Sequence, residues 1–302
     1  MSARLRWLVS APLGDGGAVL SWVNPAHPGY AYPEIAGLWL RFASRHPQPP
    51  ATVAAVRARL RADGARGMVG RAGLSYLFDT AAALGGLIAT GPAEAVEAQM
   101  FEAIASAIAG RRAVREPTDI DRWSTRWTGH QLKVIAPLRR YAEATGDARV
   151  AVLAGRILED FSVRGVEPFD RGDGYTHAFC YAVEGLLAAH AWGLGDFTRD
   201  LRIHAATLAS WQRTDGSLGA FRSVGAARAD ATAQAVRLWC AIDRGRYAGA
   251  VARALAALAA LDAGEGGLRY EAGSHDVNTW ATLFALQAEA WAEGASDVGD
   301  LW

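Results

Sequence analysis

The chain has 302 residues, 51% of them hydrophobic, which is enough for a large buried core and too apolar for a disordered polypeptide. Its 31 basic residues balance its 31 acidic ones, so neither nucleic acid nor an anionic membrane surface is favoured as a partner. No window offers about 18 uninterrupted apolar residues, so no membrane span is expected. The basic start, Met1 to Ser10, lacks the apolar stretch of a secretory leader. Cys180 and Cys240 both fall in apolar helical stretches, which implies no disulfide framework and fits a soluble cytoplasmic protein.

Residues 1–30 read as an irregular lead-in. Helical patterns then follow at 32–46, 51–63, 77–90, 92–110, 128–145, 148–163, 175–193, 197–213, 228–243, 247–262 and 276–293. They are separated by Pro49-Pro50, Gly91-Pro92, Gly146-Asp147, Gly193 to Asp196, Asp215-Gly216 and Gly264 to Gly267. Two kinds of helix alternate. In Ala51 to Asp63, Val53, Val56 and Leu60 oppose Arg57, Arg59 and Arg61, as in a helix with one wet face. Asp79 to Ala89 is apolar nearly all round, as in a buried helix. The only basic cluster, Arg111-Arg112 with Arg115, reads as a solvated helix end.

A polar residue opens each helix of the buried kind: Glu34, Asp79, His130, His177, Asp230 and Asp276, spaced 45, 51, 47, 53 and 46 residues apart. A period near 50 is that of a helical hairpin with its loops. Six such hairpins, with buried helices inside and amphipathic ones outside, make an all-α (α/α)6 toroid formed by residues 1–302 as one domain. The last outer helix is missing, since only Gly294 to Trp302 remain. The ring then closes with the N-terminal segment, a short tail or a partner chain, which leaves a homodimer open. Gly37, Gly85, Gly86 and Gly185 lie inside buried helices, where glycine costs about 1 kcal/mol against alanine. Close approach of neighbouring backbones is the physical reason to accept that cost.

In a toroid the inner helices point the same way. Their N-termini therefore converge on one mouth, where helix dipoles favour carboxylate or hydroxyl-rich ligands. Asp79, His130, His177 and Asp230 are the candidate catalytic groups, because carboxyl and imidazole side chains transfer protons near neutral pH. Glu34, Trp127, Tyr175 and Tyr181 are candidates for holding substrate. His177 and Tyr181 share a helical face, and Trp127 offers a stacking platform for a sugar ring. Asp230, Gln234 and Arg237 form one polar stripe on an otherwise apolar helix, and such groups need partners or a cavity. His275, Asp276 and Asn278 offer a further rim position. Glu184, deep in an apolar helix, needs a cation, with Arg237 and Lys133 available. No zinc spacing, HExxH, phosphate loop, dinucleotide fingerprint or nucleophile elbow occurs, so no metal or cofactor is expected.

Trp211-Gln-Arg-Thr-Asp-Gly-Ser-Leu-Gly-Ala-Phe resembles the Gln/Gly repeat motif of triterpene cyclases, with a fainter echo at Gly266-Gly-Leu-Arg-Tyr. Gly16-Gly17, Tyr32-Pro-Glu-Ile-Ala-Gly37 and Phe78-Asp79-Thr80 are similar to motifs of uncharacterised bacterial toroid proteins associated with surface-polysaccharide genes. The resemblance is to the α/α-toroid superfamily of terpenoid cyclases, prenyltransferases and six-hairpin glycan-active enzymes. It implies architecture; cyclase activity is not carried over, because the cyclases' acid motif is missing.

The expected function is a carbohydrate-active enzyme that works on a sugar or uronic-acid unit by acid/base hydrolysis, elimination or epimerisation. A hydrolase needs two facing carboxyls, roughly 5 or 6.5–9.5 Å apart, and Asp79 with Asp230 is the expected pair. The alternatives are a prenyl- or terpenoid-handling protein and a non-catalytic glycan-binding protein.

Overall fold

Proline starts and glycine stops frame the helices. Pro33 and Pro50 open α2 (Pro33–Arg45) and α3 (Pro50–Gly64), where the missing amide proton is no loss. Gly146, at φ 72°, ends α6 (Ile135–Thr145) in the left-handed conformation that glycine adopts without strain. The computed structural model describes residues 2–24, 29–164, 174–222, 224–294, 298 and 301. The remaining helices are α1 (Ala3–Leu8), α4 (Leu77–Thr90), α5 (Ala95–Ala109), α7 (Arg149–Arg164), α8 (Thr176–Ala191), α9 (Thr198–Trp211), α10 (Ala229–Ala260) and α11 (Thr279–Ala292). Two-residue strands join them. β1 (Trp22–Val23) and β4 (Leu268–Arg269) flank β5 (Val277–Asn278), and β2 (Gly70–Arg71) pairs with β3 (Leu74–Ser75), all antiparallel. Among the described residues no helix is long and apolar enough to cross a membrane.

Contacts divide the chain into two compact units. The first comprises Met1–Pro12, Trp22–Gly29 and Glu167–Leu301; the second comprises Leu13–Ser21 and Tyr30–Val166. In the second, α2 and α4 are buried almost end to end, whereas α3 and α5 bury one face. The two buried helices touch through glycine. A Cβ on Gly37 would lie 2.3 Å from the Ala82 carbonyl oxygen, and one on Gly86 would lie 2.3 Å from that of Gly37. Gly85 is less constrained, with Pro137 at 3.2 Å. Ahead of α6, residues Gly129–Val134 form a 3-10 segment, and the α-helical pattern starts only at Ile135. Pro137 explains the shift, because proline fits only the first turn of an α-helix.

In the first unit the same alternation continues. α8 and the first half of α10 are buried, while α9 and the second half of α10 are amphipathic. The sequence separates helices at 228–243 and 247–262. They join without a loop, because Asp243 alone adopts an extended conformation and its Oδ1 accepts the Arg246 amide at 3.0 Å. The cyclase-like motif serves this junction: Gln212 Nε2 donates to the Ala250 carbonyl (2.8 Å), and Arg253 donates to Gln212 Oε1 (2.6 Å). The end of α9 is thereby stapled to the outer half of α10.

Among the described residues no outer helix follows α11, and α1 packs on it. Arg4 donates to Glu289 Oε1 (2.8 Å) and to the Gly266 carbonyl (3.0 Å). Gly266, at φ 96°, lies so near the Ala3 carbonyl carbon that a Cβ would approach it to 2.3 Å. The N-terminal stretch expected to be irregular thus contains a helix with a fixed seat.

Gly37→Ala and Gly86→Ala are each expected to destabilise the protein by about 3 kcal/mol or more, since the added methyl meets backbone that cannot give way. Gly155→Ala in α7 meets nothing within 4 Å and should be neutral or stabilising by up to about 1 kcal/mol. Urea midpoints of the three variants check this contrast.

Candidate active site

In the second unit the chain brings two acids together at the starts of α2 and α4. Tyr32, the residue capping α2, is extended, and its hydroxyl donates to Asp79 Oδ1 at 2.8 Å. Glu34, in the first turn of α2, pairs with Lys133 Nζ at 3.4 Å. Arg71 reaches in from the β2–β3 hairpin. Its guanidinium carbon lies 4.7 Å from the Tyr32 ring centroid, and its Nη1 donates to the Tyr30 hydroxyl at 3.0 Å. That hairpin turns on Ala72 (φ 51°) and Gly73 (φ 79°), the two left-handed residues of a tight two-residue loop.

Asp79 is fully buried, while Glu34 and Tyr32 beside it retain 6% and 4% of their surface. Its Oδ2 has no hydrogen-bond partner, so it does not cap α4. Burial, followed by the charge of Glu34, pushes its carboxyl well above the usual carboxylate range, against the opposing pull of the Tyr32 hydroxyl, Arg71 and Lys133. Burial, then Asp79 and Glu34, likewise raise the Tyr32 phenol. With Oδ1 accepting from tyrosine, the proton of the neutral acid belongs on Oδ2. Such an arrangement is a buried donor with an unused bond.

His130 is fully buried beside this cluster. Its ring meets Phe78 and Trp123 edge-on, with centroids at 5.7 and 5.1 Å, and Trp123 stacks on Phe78. Nδ1 contacts Thr128 Oγ1 and Nε2 contacts Gln131 Nε2, both at 2.8 Å. Both ring nitrogens are engaged, which suits a wall residue better than a proton carrier. Trp127 stands apart: its Nε1 donates to Asp160 Oδ2 (2.9 Å), whose carboxylate also takes two bonds from Arg111.

In the first unit the cluster is built on α8 and α10. His177 Nδ1 lies 2.7 Å from Gln234 Oε1 and 3.4 Å from Asp230 Oδ2. An amide oxygen only accepts, so Nδ1 carries the hydrogen and Nε2 is the basic nitrogen of the neutral ring. Gln234 is oriented in turn: its Nε2 donates to Glu184 Oε1 at 3.1 Å. Arg237 pairs with the same oxygen and donates to Gln287 Oε1 at 2.8 Å. Of the two cations available to Glu184, Arg237 is its partner and Lys133 is Glu34's. Burial disfavours the charge on Asp230, but Arg228, then His177 and the Ala231 amide, outweigh it and hold the carboxyl below its usual range. Arg228 also donates to the Tyr175 hydroxyl at 3.2 Å and lies 3.6 Å from the centre of the Tyr270 ring. The Tyr181 ring lies tilted against His177, with centroids 4.1 Å apart.

The rim residues at α11 separate. His275 is exposed, Asp276 accepts a bond from Asn24, and Asn278 Oδ1 caps α11 through the Ala281 amide (2.9 Å). Asp79 and Asp230 belong to different units, and the carboxyl beside Asp79 in its own unit is Glu34. Sequence reasoning passed over Tyr32, Arg71, Trp123 and Arg228. One signal was present: tyrosine caps α2, α4 and α8 alike, as Tyr32, Tyr76 and Tyr175. Among the described residues no group of three or more His, Cys, Asp or Glu is placed to hold a metal ion.

No family model and no curated protein matches the chain. Solved structures do. A glycosidase variant aligns at TM-score 0.69 and 16% identity over 96% of this chain and 97% of its own. An unsaturated glucuronyl hydrolase specific for heparin aligns at 0.68 and 10% over 96% and 94%. Cellobiose 2-epimerase from Spirochaeta thermophila DSM 6192 aligns at 0.67 and 12% over 96% and 93%. All three are α/α-toroid proteins, and the chain has that all-α toroid fold.

Because folding raises the Asp79 carboxyl above the ordinary carboxylate range, its contribution to stability is full below the ordinary carboxylate pKa. It is lost as pH rises toward the raised folded value, by up to about 1.4 kcal/mol per pH unit. Urea unfolding across acidic to neutral pH should therefore show Asp79→Asn gaining on the parent as pH rises. Parallel curves would mean that Asp79 is ionised in the folded chain.

Proposed function

We propose that the chain is a carbohydrate-active enzyme that acts on a sugar or uronic-acid unit by general acid/base chemistry, with Asp79 as the proton donor. The observation that carries this reading is the fully buried Asp79 carboxyl, whose Oδ2 has no hydrogen-bond partner and which burial and Glu34 push well above the usual carboxylate range. Neutral carboxylic acids held in this way protonate leaving oxygens. Hydrolysis is thus the favoured reaction. Glu34, paired with Lys133, is the companion carboxyl. In the first unit His177 is a separate candidate for proton transfer, with Nε2 as its base and with Asp230, Gln234, Glu184 and Arg237 as positioning residues. Tyr175 and Tyr181 flank it as substrate contacts. His130 and Trp127 hold the wall in place.

The carbohydrate enzymes similar in fold support the substrate class, as does the charge of both clusters. A terpenoid site has an aromatic, uncharged interior, whereas ion pairs surround Glu34 and Asp230 here. A small soluble glycan and a cytoplasmic setting belong to the same reading.

The test is turnover on a panel of disaccharides and unsaturated uronides, read as released reducing sugar or lost ultraviolet absorbance. On whichever substrate the parent cleaves, Asp79→Asn should lower kcat by about a hundredfold or more, with the fold checked by circular dichroism. An Asp79→Asn protein of parental kcat refutes the assignment.

A further inference from the structure

The second unit carries a pocket of about 450 Å³ that the acid cluster does not use. Its size falls within the roughly 300–1,000 Å³ of small-ligand sites. The end of α3, the β2–β3 hairpin and residues 115–116 wall it in, and four arginines line it: Arg59, Arg66, Arg71 and Arg115. Two carboxylates oppose them. Glu116 is already committed, accepting the Ser75 amide at 2.6 Å and the Ser75 hydroxyl at 2.9 Å. Asp63 stands one turn beyond Arg59 on α3, where it attracts that residue's charge. Cations therefore outnumber anions two to one.

The guanidinium groups are placed for an external partner. Arg115 is tethered, donating Nη1 to the Arg66 carbonyl at 2.8 Å. The Arg66 guanidinium itself makes no hydrogen bond or ion pair with a described residue. Arg71 belongs to both places, since it lines the pocket and lies over the Tyr32 ring. Pro33, between Tyr32 and Glu34, also lines the pocket, so the arginines adjoin the acid cluster.

We propose that this pocket binds the anionic substituent of an acidic sugar, a carboxylate or a sulfate ester, gripped by Arg59, Arg66 and Arg115. Guanidinium forks match the geometry of both anions, and the polar, charged lining suits a hydroxylated ring. The proposal rests on the carbohydrate reading above and adds to it a subsite beside Tyr32 and Asp79.

Isothermal titration at low salt with glucuronate, glucose 6-sulfate, glucose and inorganic sulfate tests it. At least one acidic sugar should bind about tenfold or more tighter than both glucose and inorganic sulfate. Arg59→Ala and Arg66→Ala, at exposed positions, should each weaken that binding about tenfold, with the thermal midpoint unchanged. Asp79→Asn should leave it intact. Equal binding of acidic sugar and glucose, inorganic sulfate as tight as the acidic sugar, or unaltered affinity in both arginine variants overturns the proposal. An Asp79→Asn protein that turns over normally yet binds the acidic sugar through the arginines refutes the proton-donor role and leaves the subsite standing.

Discussion

Where α2 meets α4, main chain touches main chain. Gly37 and Gly86 face each other at a distance that excludes any side chain, and the helix starts are drawn together as a result. Tyr32 and Glu34 at one start and Asp79 at the other share a hydrogen bond and a field there. The complete burial of Asp79, the first cause of its raised carboxyl, goes with this close packing of the two helices.

The two clusters treat buried charge in opposite ways. Around Asp230 the cations are close and hydrogen-bonded, so the carboxylate keeps its charge in spite of complete burial. Around Asp79 the nearest strong influence is another acid, and the cations act at longer range. Environments that push two carboxyls apart in acidity are what separates a donor from a stabilising anion. The row from Arg237 through Glu184 and Gln234 to His177 has a further effect. Each member fixes the orientation of the next, so the imidazole tautomer is set three residues away from the ring.

Much of the fold was legible because it follows from period and punctuation. The alternation of wet and dry helices, the proline starts and the recurring polar residue near every fiftieth position needed no tertiary information. The misses have local causes. Pro137 delays α6 and leaves His130 in a 3-10 segment, while Asp243 joins two helices without any turn residue to announce it. Asp276 lies before β5 rather than in α11, because Val277 and Asn278 pair as strand. The site was legible as residue types and not as partnerships. Asp79 and Asp230 look alike in sequence, and the choice of Glu34 as the neighbour of Asp79 depends on a glycine contact that no spacing rule encodes. Tyr32 and Arg71 were invisible for the same reason: one acts as a cap without capping with its side chain, and the other arrives on a six-residue hairpin.

The seat of α1 on α11 has a bearing on how the protein is made. Arg4 is made 285 positions before Glu289, so their bond closes a loop of that length. Until α11 emerges, Trp7 and Leu8, both buried in the finished protein, have no surface to rest on. Contacts of such high sequence separation form late and slowly. The second unit, whose segments lie between residues 13 and 166, can consolidate while the first still lacks its final helix. Between the making of α1 and that of α11 the apolar side of α1 is uncovered, the interval in which a nascent chain of this design is most open to aggregation or to chaperone capture.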